Sequence, residues 1–205
     1  MNRWSPTLYG RTGKMAMMYK WDPLKALQLI ERERPQGWTG VPTMVQDLMN
    51  HEDFDKYDTS SLLGIGGGGA PTPSAQVGRV GKKFKHAAAH QGYGLTETNG
   101  AICGISGEEY VARPTSCGQP FPIVDLCVVD PDSADATPLP PGVRGELLIR
   151  SSLVMSHYWN KEGKTRESII ALPASAGSAS GGGWFRTGDI AVLDEENYIF
   201  IVDRK

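Results

Sequence analysis

Gly66-Gly67-Gly68-Gly69-Ala70-Pro71 follows a short apolar stretch, Ser61 to Ile65, that reads as a strand. Glycines leaving a strand let backbone N–H and C=O groups approach a flat ring or a phosphate with no Cβ in the way. A tight strand-to-helix turn explains the same run, and no G-K-[ST] follows it to make a Walker loop. Gln91-Gly92-Tyr93-Gly94-Leu95-Thr96-Glu97-Thr98 brings together an aromatic face, glycines, hydroxyls and a carboxylate. Tyr93 can stack on a base, Thr96 can donate to a phosphate oxygen, and Glu97 can hold a Mg²⁺ that bridges phosphates. A β-turn with a solvated glutamate has the same composition. In Gly183-Trp184-Phe185-Arg186-Thr187-Gly188-Asp189 the final carboxylate is placed to accept both hydroxyls of a ribose, or simply to cap its own turn. Arg204, at the end of an apolar run, can reach phosphate or ribose oxygens, although a basic pair such as Arg204-Lys205 is also an ordinary solvated feature.

The order of these stretches carries more than any one of them. Gly66 to Pro71, Gly92 to Glu97, Gly145-Glu146-Leu147, Tyr158-Trp159-Asn160, Trp184 to Asp189 and Val202 to Arg204 occur in one register along essentially the whole chain. This series resembles the ordered motifs of the adenylate-forming superfamily. That family holds acyl-CoA synthetases, beetle luciferases, aryl-CoA ligases and the adenylation domains of nonribosomal peptide synthetases. Gly40-Val41-Pro42-Thr43 and Lys56-Tyr57-Asp58 also fit, and the strings lean towards the acyl-CoA synthetases.

The resemblance implies roles. Gly68, Gly69, Ala70 and Pro71 would contact the adenine and the edge of the acyl pocket. Gln91, Gly92 and Tyr93, with Gly94 in the same string, would wall the adenine and the acyl group. Thr96 and Glu97 would serve catalysis, Thr96 on phosphate and Glu97 through Mg²⁺. Asp189 would hold the ribose hydroxyls, and Arg204 would reach ribose and phosphate. ATP, Mg²⁺ and CoA would be the cofactor and co-substrates, and a small carboxylic acid, a fatty acid foremost, the substrate. An amino-acid adenylation domain and a luciferase-like enzyme share the motifs.

Two parts of the family pattern have no counterpart in these residues. The Ser/Thr/Gly-rich loop with a lysine that cradles the outer phosphates is not found between Met1 and Gly66; Thr12-Gly13-Lys14 is too short. The small C-terminal domain with its transition-state lysine would begin just after Lys205. Carboxylate attack on a phosphate joins two anions and depends on positioning and charge stabilisation. The expectation is a portion of the large N-terminal domain that keeps the adenosine and ribose side of the site and has no adenylation activity by itself. A non-catalytic nucleotide- or acyl-binding fragment, or a pseudoenzyme, is the competing expectation.

The elements that must position these residues show in the patterning. Asp22-Pro23 is a helix start, Leu24, Leu27 and Ile30 follow at helical spacing, and Pro35 stops the run. A second helix begins at Pro42 with Val45, Leu48 and Met49 on one side, and Val77, Val80 and Phe84 mark a third. Alternation of helix and short strand implies an α/β layer. From about Pro114 the texture changes to short β-type runs: Ile123 to Asp130, Gly145 to Arg150, Asp189 to Leu193 and Tyr198 to Asp203. Pro131 to Gly142 and Asp194 to Asn197 separate them as turns. The expected class is mixed α/β: an α/β layered subdomain over 1–113, then a distorted antiparallel β-barrel over 114–205. Ala174 to Gly183 is low in complexity and reads as a surface loop.

Composition narrows the partners. A net charge of −2 supplies no basic field for nucleic acid or anionic lipid, so any polyanion must be held by a local site. Cys103, Cys117 and Cys127 are odd in number and lack metal spacing, which suggests reduced thiols. His86 and His90 stand four apart without a third ligand, so no metal is expected there. Met1 to Gly10 has no apolar core of a signal peptide, and no run approaches the roughly 18 apolar residues of a membrane span. The location these features suggest is cytoplasmic.

Overall fold

The computed structural model describes residues 2–6, 12–70, 72–133, 136–171 and 183–204, with backbone alone for 2–6 and 12–13. Pro71, most of the low-complexity stretch and Lys205 lie outside the described residues. The chain divides into two compact units, Met1–Ala89 and His90–Lys205.

In the first unit β1 (Asn2–Pro6) pairs antiparallel with β2 (Thr12–Ala16). Helix α1 (Pro23–Glu33) begins where expected: the Asp22 carboxylate accepts from the Lys25 N–H at 3.0 Å and Pro23 occupies the first turn. It ends on Arg34, whose φ of 45° is left-handed and whose N–H returns to the Ile30 carbonyl. β3 (Gly37–Gly40), α2 (Pro42–Asn50) and β4 (Gly64–Gly67) form a parallel β-α-β unit, with Gly40 opposite Gly67. α3 (Ser74–Lys83) follows. Val45, Leu48, Met49, Val77, Val80 and Phe84 are all buried, as their spacing required. Phe54 meets Phe84 edge-on at 5.1 Å, and the buried Gln76 side chain donates to the Pro42 carbonyl at 2.9 Å, tying α3 to the start of α2.

The strand expected at Ser61 to Ile65 lies further on, at Gly64–Gly67, so two of the glycines are themselves strand residues. The cause is close packing. A Cβ on Gly67 would stand 2.0 Å from the Gly40 carbonyl oxygen, so glycine here serves the β3–β4 approach.

The second unit begins in β5 (Ala88–Leu95). A single 3-10 turn, Thr96–Thr98, leads into β6 (Gly100–Ser106), α4 (Gly107–Ala112) and β7 (Gln119–Pro120), and β5, β6 and β7 pair antiparallel in that order. The second sheet holds β8 (Val124–Val129), β9 (Gly145–Ser151) and β11 (Trp184–Leu193), all antiparallel. Along the far side of β11, β10 (Ile169–Ile170) pairs with its start and β12 (Ile199–Arg204) with its end; α5 (Glu162–Ser168) precedes β10. Ile102 and Cys103 of β6 share one core with Val124, Leu147, Ile149, Ala191 and Ile199. Residues 90–113 therefore belong to the same compact unit as the β-rich half, and the change of texture near Pro114 falls inside it. The antiparallel character expected of this half is present. The closed barrel is not: among the described residues the strand order β10-β11-β9-β8 does not return on itself, and the outer side of β8 meets only a single bridge, Val129 to Pro138.

Every residue of β9 from Gly145 to Arg150 is buried, which forces its two charges to find partners. Arg150 donates twice to Asp125 at 3.0 and 2.9 Å and lies over the Trp184 ring at 4.5 Å. Glu146 accepts a fork from Arg186, with Nε 3.2 Å from both carboxylate oxygens and Nη2 on one of them. Cys103, Cys117 and Cys127 are free thiols, and burial together with the nearby Cys117 pushes the Cys103 thiol up to about 12.

Candidate nucleotide-binding site

Asp189 owes its position to an irregularity in β11. Arg186 pairs with Leu148 and Ile190 with Glu146, so Thr187, Gly188 and Asp189 stand opposite Leu147 alone. The Thr187 hydroxyl donates to the Leu147 carbonyl at 2.8 Å and accepts from the Asp189 N–H at 3.0 Å, while Gly188 takes φ +73°, a conformation that favours glycine. The Asp189 carboxylate is thereby held in a buried place, 6% exposed.

Two of the other expected residues meet it there. Tyr93 Oη donates to Asp189 Oδ2 at 2.5 Å. Arg204 sits directly across the β11–β12 ladder from Asp189, with Nε 3.3 Å from Oδ1 and its side chain 73% exposed. Burial first, and the Asp189 carboxylate second, raise the Tyr93 phenol far above its ordinary range, so it remains a proton donor. The Tyr93 ring packs against the apolar core of this unit.

The Thr96–Thr98 turn is fastened from behind. Thr98, fully buried, accepts from the Leu95 N–H at 2.9 Å and lies 2.9 and 2.8 Å from the Leu95 and Gly100 carbonyls. Met155 N–H donates to the Glu97 carbonyl at 2.7 Å and the Asn99 amide to the Leu153 carbonyl at 3.0 Å. Thr96 is left exposed and Glu97 half-buried. Tyr158 Oη donates to Glu97 Oε1 at 2.8 Å.

A cavity of about 410 Å³ opens between these elements, with Glu97, Tyr158, Lys164, Arg186, Thr187, Gly188 and Arg204 in its wall. Asp189 is not part of that wall, but its chain neighbour Gly188 and its ladder partner Arg204 are. Among the described residues no group of three His, Cys, Asp or Glu side chains could hold a metal. Glu146 is committed to Arg186, whereas Glu97 lines the cavity with one carboxylate oxygen bonded to Tyr158. That donor set fits a magnesium ion that takes one protein carboxylate and completes its shell with phosphate and water.

The remaining expected residues have these places. Gln91 accepts from Tyr110 Oη at 2.8 Å. Gly92 and Gly94 lie in β5 against β6; a Cβ on Gly94 would be 2.0 Å from the Gly100 carbonyl oxygen, so close strand approach alone demands this glycine. Gly68, Gly69 and Ala70 follow β4 in the first unit, where Gly69 takes φ +83° with open space where a Cβ would be. Pro71 lies outside the described residues.

Tyr158, Arg186, Glu146 and Lys164 were not among the residues singled out for chemistry. A signal existed for three of them: Tyr158, Glu146 and Arg186 each stand in one of the motif strings.

The model of the family described as AMP-binding enzyme matches residues 4–159, more than half of the chain. The luciferin 4-monooxygenase of Nipponoluciola cruciata is 35% identical over 192 residues, 93% of this chain and 32% of that protein. The long-chain-fatty-acid–CoA ligase of Bacillus subtilis is 29% identical over 194 residues, 94% of this chain and 32% of the ligase. Among solved structures, the inhibitor-bound N-terminal domain of FACL13 from Mycobacterium tuberculosis superposes with a TM-score of 0.76 at 29% identity, over 92% of this chain and 43% of that one. The chain thus spans about a third of the length of the curated relatives it matches. No helix among the described residues is long and apolar enough to cross a membrane. With its motif residues converging on Asp189 and on Glu97, and with this match, the chain belongs to the AMP-binding enzymes, the family of adenylate-forming acyl- and aryl-CoA ligases.

Proposed function

We propose that this chain carries the adenosine and ribose half of an enzyme that activates a carboxylic acid with ATP to an acyl-adenylate and passes the acyl group to CoA. The observation that carries this reading is the Tyr93–Asp189–Arg204 cluster: a buried carboxylate with a phenol on one oxygen and an exposed guanidinium beside the other. A carboxylate has about four lone-pair positions, so ribose hydroxyls can add to those already used. In this reading Asp189 accepts the ribose hydroxyls and Arg204, free to swing, reaches ribose and phosphate. The exposed Thr96 donates to phosphate, and Glu97 holds Mg²⁺. When bound, the ion would neutralise phosphate charge. Gln91, Gly92, Tyr93 and Gly94 line the adenine and the acyl edge.

We propose a fatty acid as the first substrate to test. Support comes from the Bacillus subtilis relative, while the luciferin 4-monooxygenase keeps a luciferin-type substrate as the alternative. Within these 205 residues no lysine-bearing Ser/Thr/Gly loop accompanies the site, so the reading for the chain alone is nucleotide binding without turnover. Pyrophosphate release from ATP and a panel of fatty and aryl acids tests this. No release above an Asp189→Ala control is the expected result, and release above it would overturn the separation of binding from turnover.

A further inference from the structure

We propose that Tyr158 is a positioning residue for Glu97, held in place by α5, and that it sets the affinity of the site for the magnesium form of a nucleotide. This rests on the reading of Glu97 given above.

Two contacts from α5 converge on Tyr158. The Thr165 hydroxyl accepts from the Tyr158 N–H at 3.0 Å, and the Lys164 ammonium lies 4.6 Å from the centre of its ring. The phenol then spends its one proton on Glu97 Oε1 at 2.8 Å. The Glu97 main chain is fixed independently by Met155, so what Tyr158 adds is the direction of the carboxylate. One oxygen is tethered, and Glu97 lines a cavity whose wall also carries Arg186, Arg204 and Lys164. A hydrogen bond to one oxygen of a ligating carboxylate orients the other, and loss of such a partner typically weakens metal binding about 10–100-fold. Neighbouring Trp159 is 81% exposed, so the anchored aromatic of this pair is Tyr158.

The test is isothermal titration of the chain with ATP, once with Mg²⁺ and once with EDTA, for the wild type, Tyr158→Phe and Glu97→Gln. The readout is the ratio of the two affinities, which a general loss of structure leaves unmoved. The wild type is expected to prefer MgATP, Glu97→Gln to lose that preference, and Tyr158→Phe to lose about tenfold or more of it. A full preference in Tyr158→Phe, with loss in Glu97→Gln, would overturn the role of Tyr158 and leave the site reading intact. Parallel falls in both affinities with an unchanged ratio would show a merely structural tyrosine and also overturn it. A wild type without preference for MgATP, or a Glu97→Gln variant that keeps it, would overturn the assignment of Glu97 and this proposal with it.

Discussion

Tyr93 and Asp189 stand 96 residues apart in sequence and share a hydrogen bond of 2.5 Å between phenol and carboxylate. Each comes from a different sheet of the second unit, Tyr93 from β5 and Asp189 from β11. The contact fastens a residue of one family motif to a residue of another. It also fixes the carboxylate that the proposed ribose contact requires.

Removing that phenol should therefore affect both stability and binding. A hydrogen bond to a charged group is worth about 1.5–3 kcal/mol. Tyr93→Phe is expected to lower unfolding stability by about that amount, seen in a urea melt, and to weaken AMP in a titration. Unchanged AMP affinity would detach Tyr93 from the site.

The two families of glycine can be told apart by substitution. A Cβ on Gly94 collides with the Gly100 carbonyl, whereas one on Gly69 meets nothing within 4 Å and costs only the backbone strain of φ +83°. Gly94→Ala should lose about 1–3 kcal/mol or more from overpacking. Gly69→Ala should lose about 1–2 kcal/mol from backbone strain. Urea midpoints of the two variants would show the order, and Gly69→Ala as the more damaging change would contradict it.

Most elements could be read in advance because they rest on local patterns. The Asp22-Pro23 cap, the spacing of Val45, Leu48 and Met49, and the Asp194 to Asn197 turn all fall where their residues demanded. β5 was not legible. Its two glycines and its polar residues break the alternation of a half-buried strand, and pairing within the sheet defines it. Tyr93, Asp189 and Arg204 could be singled out from the sequence, but not their wiring: nothing local says that Tyr93 caps Asp189, or that Tyr158 holds Glu97 across 61 residues. The barrel expectation went too far for the same reason, since closure depends on which strands meet at the edges.

The Glu146–Arg186 pair should behave as a buried unit. Glu146 is 3% exposed, and removing one partner of such a pair typically costs about 3–5 kcal/mol. Arg186→Met is expected to cost about 3 kcal/mol, while pairing it with Glu146→Leu should recover much of the loss. A double-mutant cycle by urea unfolding measures this. Additive losses would show that the fork contributes little.

Acid should weaken the fold through His90. Burial holds its imidazole below the ordinary 6.5, so the folded state favours the neutral ring. The unfolded chain then binds more protons between the two values. The stability contribution is complete above about 6.5 and is lost as pH falls through the lower folded value. Melting temperature should drop between pH 7.5 and 5.5, with a shallower slope in His90→Gln. Equal slopes would remove His90 from the account.

The central claim is that the second unit holds an adenosine and ribose site organised by Asp189. Isothermal titration of the chain with AMP, against Asp189→Asn, tests it most directly. Saturable binding that weakens about tenfold or more when the charge-assisted bonds to ribose are lost is the predicted result. AMP binding of equal strength in both proteins, or none in the folded wild type, would contradict it.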